Sequence, residues 1–165
     1  MRACLFFIAT SPNVYVTLQK EIDSFCGDQE PGRRIFYKET QSLPYLQATI
    51  KEAARLWPSI VWNLPRDSPA GGLTIDGKYY VPEGYTLSVS PMAQNRDPYI
   101  YGPDAKEFKP ERWLQDEAQT RRMELLSMTF GGNGPRSCLG KNLALVCVIY
   151  LSHLTIDFDL FEMDL

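Results

Sequence analysis

Histidine is nearly absent from this chain, His153 being the only one in 165 residues. The four cysteines, Cys4, Cys26, Cys138 and Cys147, are irregularly spaced, with no CxxC pair and no Cys/His pairing. That spacing argues against a zinc centre and against a disulfide framework. Basic charge is also lacking. A net charge of −3 and a pI near 5.2 provide no electrostatic footprint for nucleic acid, which is excluded as an expected partner. No apolar run is long enough to cross a bilayer: the longest at the start, Ala3 to Ala9, is far below the roughly 20 residues needed. It resembles the core of a secretory signal, but it flows into SPNVYVTLQKEIDSF, where Val14, Leu18, Ile22 and Phe25 fall on one helical face. The run is therefore read as part of an amphipathic helix cut short at its beginning.

Two nucleotide-binding patterns are missing as well. Around TFGGNGPRSCLGK, five residues separate Gly134 from Gly140, and Asn142 follows Lys141. A phosphate loop needs four residues there and then Ser or Thr. The dinucleotide fingerprint fails because Ser137 stands where a third glycine is required after Gly132 and Gly134.

What remains is an ordinary globular composition, 44% hydrophobic and 22% charged, enough for one domain burying about two-thirds of its surface. After a polar CGDQEPGRR loop, SLPYLQATIKEAARLWP predicts a helix with Ser42 as cap, Pro44 in the first turn and Pro58 as stop. Leu46, Ile50, Ala53 and Trp57 form its expected buried stripe. Glu52 and Arg55 lie three apart on it, and by spacing alone they read as an exposed pair worth a few tenths of a kcal/mol. Asp76-Gly77 in LTIDGKYYVPEG is a hairpin signal, and YTLSVS alternates after a Pro-Glu-Gly turn. The proline-rich NRDPYIYGPDAKEFKPERW reads as irregular, and Asn142 to about Leu154 as a buried apolar helix. The fold class is mainly α with small antiparallel β-sheets (α+β).

The loop before that last helix concentrates chemistry on Cys138. Backbone N–H groups at a loop and helix start favour a thiolate, Gly134 and Gly140 let the backbone pass close beneath something flat, and Arg136 places a cation nearby. A haem meets these demands, with iron on Cys138 and a propionate facing Arg136. On the residues alone, haem ligand, reactive thiol and buried small hydrophobe all stay open.

GPRSCLG resembles the haem-binding loop of the cytochromes P-450, the haem-thiolate monooxygenases. Three other stretches are similar to that family in the same order: KEAARLWP to its Glu-x-x-Arg helix, NLPRDS to its haem-facing strand, and FKPERW to its Pro-Glu-Arg-Trp segment. ATSPNVYVTLQKEID is similar to the helix preceding Glu-x-x-Arg, so the resemblance covers nearly the whole chain. It implies a C-terminal fragment of that fold binding haem b, with Cys138 as iron ligand and Arg66 and Arg136 on the propionates. It also places Phe130, Gly132 and Gly140 in the haem loop. Glu52, Arg55 and Arg112 become a buried ion network, and Ile60, Val61, Trp62, Asn63 and Leu64 candidates for lining an apolar substrate's pocket.

The family's aromatic stands seven positions before the cysteine, where this chain has Gly131, with Phe130 one residue earlier. An extra loop residue, a bulge, is implied. The resemblance further implies reductive dioxygen activation with NADPH electrons from a reductase, and endoplasmic reticulum association through an N-terminal anchor in a full-length form. The family's distal helix, N-terminal part and final pocket hairpin have no counterpart here, so the 165 residues alone are expected to be inactive. Two rivals are carried beside this reading: a non-catalytic remnant or interaction module, and a thiol-dependent redox protein. The latter needs a base, and His153 is the one histidine.

Overall fold

The structure, a computed structural model, describes residues 2–27 and 36–157, and from residue 150 onward only the backbone. Most of the CGDQEPGRR loop and the side chain of His153 lie outside the described residues.

The first apolar segment is its own helix, α1 (Arg2–Ala9), separated from α2 (Pro12–Cys26). The continuous helix expected from the sequence is broken because Pro12 opens α2, where a missing N–H and a fixed φ suit the first turn but not a helix interior. Val14, Leu18 and Ile22 are buried as their spacing demands. After the single turn α3 (Tyr37–Thr40) comes α4 (Pro44–Leu56). Ser42 does not cap α4: its hydroxyl donates to the Glu39 carbonyl at 2.6 Å. The cap comes from another helix instead. Glu21 of α2 accepts from the backbone N–H of Tyr45 at 2.8 Å and of Leu46 at 2.9 Å, which satisfies two otherwise orphaned donors with a carboxylate at the positive end of the helix.

Helix α4 organises the molecule because it buries two stripes. Leu46, Ile50 and Ala53 pack with Ile8 of α1, Leu18 and Ile22 of α2, and Ile149 of the last helix. Ala48, one turn of face away, packs with Ile100, Tyr101, Ala105, Trp113 and Met123. Glu52 and Arg55 continue that second stripe at i+4 and i+7 from Ala48. Trp57 does not extend the first stripe. It leaves the helix at φ −124°, ψ 75°, and stays 47% exposed with its ring against Phe6 and Phe7 at 4.9 and 5.0 Å.

Four short strands follow: β1 (Arg66–Asp67), β2 (Leu73–Ile75), β3 (Tyr79–Val81) and β4 (Thr86–Leu87). β2 and β3 form the hairpin signalled by Asp76-Gly77, with both residues at positive φ (52° and 65°) and Ile75 opposite Tyr79. β1 pairs antiparallel with β4, Arg66 opposite Leu87.

The proline-rich segment is more regular than its sequence suggested. Just before it Pro91 opens α5 (Pro91–Gln94), and within it prolines open α6 (Pro98–Tyr101) and a 3-10 turn at Pro110–Leu114, each at the position where proline is tolerated. A helix that the sequence reading passed over, α7 (Glu117–Leu126), starts where the Asp116 side chain accepts from the Gln119 N–H. The last helix, α8 (Lys141–Asp157), packs through Leu145, Val148 and Ile149. Its first turn is not buried as expected, since Leu143 is 71% exposed.

Candidate functional site

Two structures meet behind and in front of one loop: a buried ion network and an exposed thiol. In the network, both oxygens of Glu52 are fully engaged. Oε1 accepts from Arg55 Nη2 at 2.7 Å, Arg112 Nε at 2.8 Å and the Lys109 N–H at 3.1 Å. Oε2 accepts from Arg55 Nε at 2.8 Å and Trp113 Nε1 at 2.9 Å. Glu52 and Arg55 are both 0% exposed. Five donors, three of them on two guanidinium groups, stand where water would otherwise solvate the carboxyl. The surface pair suggested by the i,i+3 spacing is thus a buried one.

The arginines use their remaining donors to gather chain from 95 to 107. Arg55 Nη1 donates to the carbonyls of Asn95 and Ala105, both at 2.6 Å, with its guanidinium 4.7 Å from the centre of the Tyr101 ring. Arg112 Nη1 donates to the Tyr101 carbonyl at 2.6 Å and to Asp104 Oδ1 at 2.9 Å. Lys109 Nζ reaches Asp104 Oδ2 at 2.8 Å. Asp104, Lys109 and Trp113 were not singled out from the sequence, although Lys109 and Trp113 belong to the quoted FKPERW. Asp104 and Lys109 carry no local signal of their role.

The Lys109 hydrogen bond, followed by Arg112, holds the Asp104 carboxyl at about 2 against an ordinary 3.8. A depressed carboxyl stabilises the fold above its unfolded value and loses that contribution as pH falls through its folded value. The stability gap between the native chain and Asp104→Asn should therefore be constant above pH 3.8 and shrink as pH falls toward about 2. Denaturant titrations at stepped pH measure it, and a gap independent of pH across that window would refute the assignment.

The thiol loop begins at a 3-10 turn, Thr129–Gly131. Phe130, Gly131 and Gly132 all take positive φ (58°, 84° and 79°), so the extra residue implied by the sequence is absorbed in a left-handed turn. Only the glycines enter that region freely; Phe130 is held there by its surroundings. The turn aims the Phe130 carbonyl back across the loop, where it accepts from the Cys138 N–H at 2.9 Å. A Cβ on Gly131 would sit 3.4 Å from the Arg136 carbonyl and 3.8 Å from Leu64 Cδ1, so the 60–66 segment lies against this loop. Asn133 Nδ2 donates to the carbonyls of Glu124 and Leu125 at 2.8 and 2.9 Å, tying the loop to the end of α7.

Cys138 is exposed and unbridged. Among the described residues no N–H hydrogen-bonds its sulfur, and several backbone donors around it bond carbonyls instead: Cys138 N–H that of Phe130, Lys141 N–H that of Cys138 and Ala144 N–H that of Gly140. Arg66 and Arg136 are exposed, and Arg66 donates to the Pro65 carbonyl at 2.8 Å. Neither has a carboxylate partner among the described residues. Ile60, Val61, Trp62 and Asn63 are exposed, Leu64 and Phe130 are half-buried, and Leu139 is fully exposed.

These residues fit a haem and do not fit a bare metal ion. Among the described residues no three His, Cys, Asp or Glu side chains cluster as a metal cage. A single thiol suffices only for a metal that brings its own planar ligands. Gly134 takes φ 111° with open space around a built Cβ, a Cβ on Gly140 would lie 3.8 Å from the Cys138 sulfur, and two exposed arginines with no carboxylate partner among the described residues suit carboxylate edges.

The chain is mainly α with small sheets, and it carries an exposed cysteine in a glycine-rich loop and a buried Glu-x-x-Arg network. The sequence matches the cytochrome P450 family model over residues 1–160, and the chain belongs to the cytochrome P450 family. Membership implies a haem iron cofactor. The chain is 38% identical over 144 residues to cytochrome P450 monooxygenase cicH of Emericella nidulans, covering 87% of this chain and 29% of that protein. It is 38% identical to a pisatin demethylase of Fusarium vanettenii (88% of this chain, 27% of that protein). To cytochrome P450 monooxygenase sdnT of Sordaria araneosa it is 46% identical over 121 residues (71% and 21%). The chain thus spans between about a fifth and a third of the length of these three relatives. Among the described residues no helix is long and apolar enough to cross a membrane.

Proposed function

We propose that this chain is the iron-ligand portion of a cytochrome P450 monooxygenase. Cys138 supplies the thiolate to haem b, Arg66 and Arg136 pair with its propionates, and Phe130, Gly132 and Gly140 shape the loop beneath it. Bound haem supplies the activation of dioxygen for insertion into a small apolar organic substrate, with electrons drawn from NADPH through a reductase. Ile60 to Leu64 form one apolar wall beside that substrate, and the longer protein associates with the endoplasmic reticulum membrane through an N-terminal anchor. The observation that carries the reading is the contrast at Cys138: its backbone is pinned to Phe130 at 2.9 Å while the residue is exposed and its thiol unbridged. A thiol-dependent redox role gains no comparable support, since no side chain among the described residues hydrogen-bonds the sulfur as a base would.

The apolar surface beside the loop, Trp62, Leu139 and Leu143, is the kind that a flat apolar cofactor and further protein cover. Titration of the apoprotein with haem should saturate at one equivalent. Replacing Arg66 and Arg136 together by Gln should speed haem loss to an acceptor protein by about tenfold or more, as expected for losing charge-assisted hydrogen bonds. Absence of a saturable Soret change, or an unaltered loss rate in the double variant, would count against the proposal.

A further inference from the structure

The network and the thiol loop are distinct clusters, and the question is what connects them. Asn95 is fully buried at the end of α5 and belongs to both. Its carbonyl accepts from Arg55 Nη1 at 2.6 Å. Its side chain faces the other way: Oδ1 accepts from the Met128 N–H at 2.9 Å, and Nδ2 lies 3.5 Å from Thr129 Oγ1. Met128 and Thr129 lead directly into the left-handed turn at Phe130, whose carbonyl holds the Cys138 N–H.

The surrounding polar groups reinforce the same junction. Ser127 Oγ donates to Thr129 Oγ1 at 2.9 Å and accepts from the Thr129 N–H at 3.1 Å. Gln94, next to Asn95, donates through Nε2 to the Leu126 carbonyl at 3.0 Å. The open carbonyls ending α7 are therefore taken by Gln94 on one side and Asn133 on the other. A wholly buried amide with one end on the network and one on the loop has no other task visible in the fold, because leaving either end unpaired would strand a buried polar group.

We propose that Asn95 is the positioning residue through which the Glu52–Arg55 network sets the conformation of the Cys138 loop. It touches neither the thiol nor a cofactor; it acts by fixing Met128 and Thr129, and through them the Phe130 carbonyl that orients Cys138. An asparagine suits the place because it offers an acceptor for a backbone N–H and a donor for a hydroxyl at once, and it adds no charge beside Arg55. The spectral consequence rests on the haem-thiolate proposal above, whereas the effect on the loop does not.

Hydrogen exchange of the 165-residue chain separates the two. Asn95→Ala should raise exchange of the Met128 and Cys138 amides by about tenfold, the loss of one buried hydrogen bond, with the α4 amides from Gln47 to Leu56 unchanged. Asn95→Asp, which keeps the acceptor for the Met128 N–H, should restore most of the protection. In haem-loaded protein the Ala variant should shift part of the carbon monoxide complex away from the thiolate band, and the Asp variant should reverse this. Loop exchange altered without any haem binding would sustain the role of Asn95 and overturn the haem proposal. Uniform acceleration throughout the chain, or none at the loop, would overturn the role of Asn95. Should the Ala variant not fold, the native chain still decides. In rising sub-denaturing urea the Met128 and Cys138 amides should merge into one opening with the Lys109 amide, which is bonded to Glu52, and separate openings would reject the coupling.

Discussion

Replacing Arg55 by alanine is expected to lower the unfolding free energy by about 3–5 kcal/mol, against about 5–15 kcal/mol for a whole domain. The cost arises from what the change leaves behind. Glu52, at 0% exposure, would be left with Arg112 as its one cationic partner among the described residues, and the carbonyls of Asn95 and Ala105 would lose their donor. Arg55→Lys should rescue little, because one ammonium cannot reach Glu52, Asn95 and Ala105 from a fixed fork as the guanidinium does. The control is Lys51→Ala. Lys51 pairs with Glu124 at 2.6 Å, but both side chains are more than 40% exposed, so the loss should stay within about 1 kcal/mol. Urea unfolding of the variants measures both, and equal effects would deny the buried network its special weight.

Geometry explains which of these features could be read from the sequence. The stripe Leu46, Ile50 and Ala53 was legible because helical periodicity is a local code. Trp57, next on the same stripe, was misplaced because a helix boundary shifts a residue off its face, and Pro58 ends α4 one residue earlier than the stripe requires. The pairing of Glu52 with Arg112 spans 60 positions, and no local spacing reports a contact of that range. It was legible only through the resemblance of KEAARLWP and FKPERW to family segments. Asn95 and Asp104 lie in the proline-rich stretch whose irregular periodicity hid two short elements, each opened by a proline that could have been read as a start signal. Helix α7 carried a usable signal too, Asp116 before a run of good helix formers. The apolar sequence of α8 identified a helix but not which face is buried, since a pattern apolar on all sides has no direction. The loop was legible as a cysteine among glycines. Its left-handed turn at Phe130 showed only as a one-residue misfit to the family's spacing.

The second large effect concerns the thiol. Cys138 is the one residue of the loop whose side chain is both exposed and able to bind iron strongly as an anion. Serine preserves the size of the side chain and the backbone bond to Phe130, but its hydroxyl is a far weaker anionic donor. Cys138→Ser should therefore leave urea stability of the apoprotein within about 0.5 kcal/mol, as for a surface change away from any packing, while removing the thiolate character of the haem complex. The measurement is the absorption spectrum of the reduced, haem-loaded protein under carbon monoxide. The native chain in its longer, complete form should give the red-shifted band of a thiolate-ligated haem, and Cys138→Ser should lose it. Persistence of that band in Cys138→Ser would contradict the assignment of Cys138 as the iron ligand.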